Sequence, residues 1–419
     1  MAVFSFAARR DSGGQVLPPG IVNQRRGTVK PSCRGRSARL QYGAMRVFLA
    51  WGVFCINALH YTLFKLRLLP QPDFRNYPDH WEPWLGSFLR WRRGMVVLHG
   101  EHCPQSGPAV FAANHAKLDD PLFCWGAVDR ATHGRVHMFF MMRDDFFVGW
   151  PWDYLPFSMN ELTAISGCIQ ISRDSISLAQ LKPLLNILES RETFVMFPGR
   201  TRSRSGLFIE YREGVEEPGG VSFFLLHGSR KAGIPVPAVP MARTYDPSHR
   251  RTYVSFGEPV YLPEKASREV QRDTDFAIVL AMSDCVVITA LHAMCVVLYL
   301  RCLHGMEPVF SRDRLRDWTE RVLDAVRNTY NAEPFDGAAV DIDTPLRWLA
   351  RQGVLRLDGA EVAVDTGRVL AVPAELDTKY RRNNPVKYCV NQVLHLRAVA
   401  DAAETALGIG AGGPVRTTA

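Results

Sequence analysis

The run Asn114-His115-Ala116-Lys117-Leu118-Asp119-Asp120 sets an imidazole and a carboxylate five positions apart, directly after the apolar stretch Ala109 to Ala113. A neutral His can take a proton from an alcohol at physiological pH. A carboxylate on its other ring nitrogen fixes the tautomer and stabilises the imidazolium that forms. A His115–Asp120 pair would therefore make a hydroxyl nucleophilic. A polar turn with a helix N-cap uses the same residue types, so the pair needs company before it means catalysis. The chain has no Gly-x-Ser-x-Gly elbow, no Gly-rich Walker loop and no His-Glu-x-x-His, which removes the commoner alternatives.

Company follows downstream. Gly167-Cys168-Ile169-Gln170-Ile171-Ser172-Arg173 is an apolar strand-like piece ending in Arg. A permanently charged planar fork in that place suits a phosphate, and a surface pair with Asp174 is its plainer use. Thr193 to Met196 then leads into Phe197-Pro198-Gly199-Arg200-Thr201-Arg202-Ser203-Arg204-Ser205-Gly206. Three Arg within five residues, with hydroxyls and Gly among them, make a loop able to enclose a phosphate dianion. Ile234 to Pro240 is an apolar run punctuated by prolines, which points to an edge or irregular strand.

The four stretches resemble, in order, the four motifs of the glycerolipid acyltransferases, the family of glycerol-3-phosphate and lysophosphatidate acyltransferases. Together they span the interval from Val96 to Pro263. The first resembles His-x-x-x-x-Asp and implies a general base at His115 and its orienting partner at Asp120, with Asn114 beside them at the substrate site. The second implies that Arg173 meets the acceptor's phosphate. The third resembles Phe-Pro-Glu-Gly-Thr-Arg-Ser and implies that Arg202, Ser203 and Arg204 help hold that phosphate. The fourth resembles the strand lining the acyl site. The chain departs from the pattern where Gly199 and Arg200 stand in place of the family's Glu and Gly. Some plastid-type members also lack that Glu, and Glu210 is a nearby substitute. Ser203-Arg204-Ser205-Gly206 and Tyr380-Arg381-Arg382-Asn383-Asn384 resemble segments of the glycerol-3-phosphate branch, as does an apolar helical segment from Ile278 to Leu300.

These loops need strands to carry them. Alternating strand-like and helical patterns from 96 to 263 predict an α/β fold, a mixed sheet flanked by helices. A helical amino-terminal segment should cover 45–95 and a mainly helical region 264–407, with a flexible tail from 408 to 419. Ser175 to Glu189 reads as one helix, with Leu178, Leu181, Leu185 and Leu188 at helical spacing. Leu315, Trp318, Val322 and Val326 form another stripe. Pro345 to Val372 reads as a helix and then a hairpin turning at Asp358-Gly359.

The 419 residues are 47% hydrophobic, enough for one large or two modest cores, and the formal charge is +8. Residues 1–46 hold nine Lys or Arg against the single acid Asp11, which accounts for the whole excess. Residues 1–44 read as disordered: a basic arm for anionic lipid, an organellar presequence, or sequence upstream of a start at Met45. The last two are the favoured readings. Val47 to Phe64 carries no charge, short for a span and fitting a helix at a membrane interface. Trp81, Trp84, Phe88 and Trp91, followed by Arg92 and Arg93, fit a cluster at the headgroup level of a membrane or, the favoured reading, an amphipathic helix over the core. The nine Cys show no Cys-x-x-Cys pair, as expected of free thiols in a reducing compartment. His99, His102 and Cys103 lack a fourth ligand, so no metal is expected.

The resemblance implies acyl transfer from acyl-CoA or an acyl carrier protein, as co-substrate, to the hydroxyl of glycerol 3-phosphate, with no resident cofactor. The alternatives are a lysophosphatidate or other lysophospholipid acceptor, and a non-catalytic protein binding lipid or nucleic acid. The expected partners are the donor, the acceptor and a membrane surface at the cytoplasmic face, bound peripherally or through one helix near 47–64. Nucleic acid is not expected.

Overall fold

The structure is a computed structural model. It describes residues 58–70, 94–143, 167–172, 178–199, 201–210, 217–335, 339–374 and 379–409, with Cys55, Asn160 and Asp377 as single positions. The basic segment 1–44, the cluster Trp81, Trp84, Phe88 and Trp91, Arg173, Ser175, Arg200 and the tail after 409 lie outside the described residues.

Seven strands form one mixed sheet. They are β1 (Met95–Leu98), β2 (Ala109–Ala113), β3 (Met138–Arg143), β4 (Cys168–Ile171), β5 (Thr193–Met196), β6 (Ala238–Asp246) and β7 (Arg251–Phe256). Their spatial order is β1-β7-β6-β2-β5-β3-β4, and every pair is parallel except β6 with β7. Helices α1 (Asp120–Thr132), α2 (Leu178–Glu189) and α3 (Val221–Ala232) make the crossovers. The central strands are apolar throughout because both faces are covered. Successive side chains of β2 point to opposite faces. Val110 and Ala112 join the core under α2 and α3, whereas Ala109, Phe111 and Ala113 join the core under α1. Full burial of a ring such as Phe111 contributes about 1.5–3 kcal/mol. The α/β class with a mixed sheet is thus what the alternating pattern predicts.

The proline-rich stretch behaves differently from expectation. β6 is an interior strand, flanked by β7 and β2. It tolerates Pro240 because the ladder with β7 ends one residue earlier in the sheet, at Met241 opposite Phe256. The missing N–H of Pro240 therefore falls outside that ladder, while its carbonyl still accepts from the Gly257 amide at 2.8 Å.

The segment Ile278 to Leu300 is not a single helix. It divides into α4 (Arg268–Asp284), a two-residue strand β8 (Val287–Ile288) and α5 (Ala290–Leu303). The β-branched run Val286 to Thr289 disfavours helix. Thr289 then starts α5 through a capping box in which its hydroxyl accepts from the His292 amide. α4 packs on α3, β6 and β2, so the core continues past residue 263. α5 is buried nearly throughout and is surrounded by α6 (Arg312–Val326), α7 (Asp343–Arg351), α8 (Thr366–Leu370), α10 (Pro385–Val393) and α11 (Arg397–Leu407). The predicted stripe Leu315, Trp318, Val322 and Val326 lies on the buried side of α6. A short strand β9 (Val309–Ser311) pairs with the predicted hairpin of β11 (Leu355–Asp358) and β12 (Glu361–Val364), which turns through Gly359 at φ +53°. The pair Asn331–Ala332 (β10) lies against β8, and α9 (Tyr380–Asn383) precedes α10. Residues 58–65 are helical, with Leu59, Leu66, Leu68 and Leu69 exposed at or beyond that helix. Among the described residues no helix is long and apolar enough to cross a membrane.

The β6–β7 turn is tied to the carboxy-terminal region through one imidazole. His249 Nδ1 lies 2.8 Å from Asp246 Oδ2 and its Nε2 lies 3.1 Å from Asp341 Oδ2. The hydrogen bond to Asp246 is the largest cause that raises the His249 pKa from 6.5 to about 9. A folded-state pKa above the unfolded one contributes stability that is fully present below about pH 6.5 and is lost as pH rises through about 9. Both carboxylates are held low and do not titrate in that window. Thermal stability is expected to fall across it, and His249→Gln to flatten the fall. Melting curves of equal slope for the two proteins would refute this.

Candidate active site

β2 delivers the His–Asp turn at its carboxyl end, where strands of open α/β sheets place ligands. His115 Nδ1 is 2.9 Å from Asp120 Oδ2, and the same oxygen accepts from the amides of Ala116 and Lys117, both at 2.6 Å. Three donors thus converge on one oxygen of the carboxylate. Asp120 is 1% exposed. Burial alone would raise its pKa, but the His115 hydrogen bond and the charge of Arg243 hold it below the usual carboxylate range. Pro121 lies in the first turn of α1, where its lack of an N–H does no harm. The His115 ring stacks on Phe197 with centroids 4.3 Å apart. Its side chain is 22% exposed, and among the described residues nothing bonds its Nε2.

The Arg-rich loop closes over this turn. The Ser203 amide donates to the His115 carbonyl at 2.7 Å, which joins the two loops directly. Glu210 holds the loop from within: its Oε2 accepts from the Arg204 amide (2.8 Å), the Ser205 amide (3.3 Å) and the Ser205 hydroxyl (3.0 Å). Gly199 packs against the same segment, since a Cβ there would lie 3.1 Å from Ile209 Cγ2. A carboxylate is thus present beside the place where the motif usually has Glu, and it binds the loop's own amides. Arg202 is half-buried, Arg204 is exposed, and Ser203 is buried with no hydroxyl partner among the described residues.

Of the sequence-derived residues, His115, Asp120, Asn114, Arg202, Ser203 and Arg204 lie on these two joined loops, and Arg173 falls outside the described residues. Asn114 turns to the neighbouring strand. Its side chain donates to the Arg243 carbonyl at 3.1 Å and accepts from the Arg243 amide at 2.8 Å. Arg243 itself escaped notice, because a lone Arg inside an apolar strand pattern carries no local signal. The carboxy-terminal helices also reach the site. A pocket beside Asp120 is lined by Lys117, Arg243, Tyr245, Arg381 and Tyr388, and Lys117 Nζ sits 3.1 Å over the Tyr245 ring. Asn391 donates to the Ser205 carbonyl at 3.0 Å, and His395 stacks on Phe208. The His99–His102–Cys103 cluster is occupied otherwise: His99 Nε2 lies 2.7 Å from Asn331 Oδ1, and burial pushes the Cys103 thiol up to about 12.

This arrangement can accept a proton, steady the resulting charge and gather phosphate-binding groups around it. Residues 95–240 match the protein-family model described as Acyltransferase. Residues 95–240 are thus an acyltransferase domain. The acyltransferase domain so defined contains both the His–Asp turn and the Arg-rich loop. Among solved structures, the chain is similar to the crystal structure of the 1-acyl-sn-glycerophosphate (LPA) acyltransferase PlsC from Thermotoga maritima. The likeness is at 15% identity over 59% of this chain and 97% of that one, with a TM-score of 0.34. No curated protein matches the chain in sequence.

Proposed function

We propose that the acyltransferase domain moves a fatty acyl group from a thioester, acyl-CoA or acyl carrier protein, to the hydroxyl of glycerol 3-phosphate at a membrane surface. The observation that carries the reading is the His115–Asp120 pair, with Nδ1 on the buried carboxylate and Nε2 facing away from it. His115 Nε2 takes the acceptor's proton as its oxygen attacks the thioester carbonyl. The tetrahedral oxyanion then collapses, the C–S bond breaks and the departing thiolate takes the proton back from His115. Asp120 steadies the imidazolium throughout. Arg202 and Arg204, with Arg173, serve the phosphate, and no resident cofactor is required. The branch-specific features support the smaller acceptor: Tyr380 to Asn384 brings Arg381 to the pocket beside Asp120. Lysophosphatidate is the second reading, since the dyad chemistry is the same for either hydroxyl.

Backbone amides near Asn114 and in the Arg-rich loop are natural oxyanion donors, but those of Ala116, Lys117, Ser203, Arg204 and Ser205 are already bonded within the protein. The Ser203 hydroxyl is buried and unbonded among the described residues, and we take it as a candidate oxyanion donor. Ser203→Ala is expected to lower kcat by about 10²-fold, the low end for one oxyanion donor, with the melting temperature unchanged. Unaltered kcat would remove Ser203 from the mechanism.

The deciding assay supplies labelled glycerol 3-phosphate and lysophosphatidate separately, against palmitoyl-CoA, oleoyl-CoA and an acyl carrier protein donor, to full-length protein in detergent. Product from glycerol 3-phosphate supports the proposal. Product from the lysolipid alone transfers it to the second reading, and no product with any donor rejects both. Lipid or nucleic-acid binding without turnover would be the signature of the non-catalytic reading.

A further inference from the structure

β6 brings Arg243 into contact with the dyad from the opposite side of the turn. Its side chain is 2% exposed. Nη1 donates to Asp120 Oδ1 and, at 2.8 Å, to Asp119 Oδ1. The guanidinium carbon lies 3.9 Å over the Phe123 ring. Asn114 grips the amide and carbonyl of the same residue, so the base of the side chain is fixed as firmly as its tip.

The two oxygens of Asp120 are divided between two tasks. Oδ2 receives His115, Ala116 and Lys117, and Oδ1 receives Arg243. Without the guanidinium, Oδ1 would be a buried acceptor with no donor, and rotation of the carboxylate plane would take Oδ2 away from Nδ1. A cation at that distance also offsets the negative charge that the imidazolium requires. Asp119, 29% exposed at the side chain, restores it: two carboxylates and one guanidinium leave one net negative charge, which the imidazolium balances when it forms.

We propose that Arg243 is a positioning residue for acyl transfer, pinning the plane of Asp120 against His115, and that Asp119 is the counter-charge that keeps Arg243 from neutralising the dyad. The inference rests on the reading of His115 as the group that takes the acceptor's proton. Other charged or titratable groups facing the pair are Lys117 on the same turn, Tyr245 on β6, Arg381 on α9, Tyr388 on α10 and Cys124 on α1. Burial pushes Tyr388 up to about 12 and raises Cys124 further, so both stay neutral at working pH.

The test uses the full chain with labelled glycerol 3-phosphate and palmitoyl-CoA, or lysophosphatidate if that is what the wild type turns over. Arg243→Lys keeps the charge but shifts it from the place where Nη1 meets both carboxylates and removes the planar group from the Phe123 ring, and is expected to lower kcat by about 10²-fold, the effect of a misplaced catalytic group, with acceptor KM within about twofold. A dyad titrates as a unit. Arg243→Met should therefore move the acid limb of kcat/KM to higher pH, and Asp119→Asn should move it to lower pH. A merely structural role for either residue would move neither limb. If Arg243→Met does not fold, Arg243→Lys and Asp119→Asn decide. The proposal is overturned by a folded Arg243→Lys with kcat within about threefold of wild type, or by an unmoved limb in Asp119→Asn. Ring ¹⁵N resonances, assigned by difference from His115→Ala, provide a readout without turnover: His115 should hold its proton on Nδ1 in the wild type and show a tautomer mixture in Arg243→Lys, and a fixed tautomer in both would overturn the proposal. Full turnover in His115→Ala would instead sink the underlying reading of the site.

Discussion

His115→Ala is expected to lower turnover by about 10²–10⁴-fold, the range for loss of a general base, while the protein melts as the wild type does. The substitution is clean because little else depends on the ring. It makes one hydrogen bond and stacks on Phe197, and no backbone group relies on it. Asp120→Asn is a poorer probe of the same chemistry. That carboxylate also accepts the amides of Ala116 and Lys117 and the guanidinium of Arg243. An amide there would disturb the turn and leave Arg243 with Asp119 alone, and breaking a buried pair typically costs about 3–5 kcal/mol. The comparison of interest is kcat at equal folded fraction. Near wild-type turnover in folded His115→Ala would reject the mechanism outright, whatever the other variants show.

Gly206→Val is expected to give the largest loss of stability among substitutions in the Arg-rich loop. Gly206 has φ +93°, a region closed to β-branched side chains, and a Cβ there would lie 2.5 Å from the Tyr388 carbonyl oxygen and 3.0 Å from its ring. The backbone conformation alone accounts for about 1–3 kcal/mol, and the clash adds about 1–3 kcal/mol of overpacking. The obstacle is main chain of α10, so no side chain can swing away to admit the new group. Either the loop leaves the helix or the helix leaves the sheet. Asn391→Ala provides the contrast, because it removes one hydrogen bond to the Ser205 carbonyl and should lose only about 1–3 kcal/mol. Denaturant unfolding distinguishes them, and a Gly206→Val protein as stable as Asn391→Ala would show that the loop and α10 separate easily.

The parts of this site that sequence alone revealed are those whose partners are close along the chain. His115 and Asp120 meet across five residues of one turn, and the Arg-rich loop follows its own strand in the sequence, so spacing was enough to expect each group in its place. Glu210 was legible by half. It was recognisable as a carboxylate near the missing one, yet its attachment to the amides of Arg204 and Ser205 depends on how the loop folds back on itself. Arg243 was out of reach because its partners are 123 and 124 positions away. Nothing in an apolar strand pattern announces which polar residue will face a carboxylate at the helix start beyond the next strand. The interior position of β6 was hidden for a related reason: proline statistics describe the usual strand, whereas this one places Pro240 just beyond a ladder's end. The break between α4 and α5 was written in the β-branched run Val286 to Thr289, but apolarity on both sides disguised it.

The parts of the dyad's support that lie past residue 240 limit how this enzyme can be divided or recombined. Residues 95–240 carry the whole His–Asp turn and the whole Arg-rich loop. A fragment ending there would still lack the guanidinium that satisfies Asp120 Oδ1, the amide that holds the Ser205 carbonyl and the imidazole stacked on Phe208. Exchange of the carboxy-terminal half would therefore change the surroundings of the His–Asp turn without altering one of its own residues. The unit that holds the turn and the Arg-rich loop in place is larger than the stretch that matches the family model.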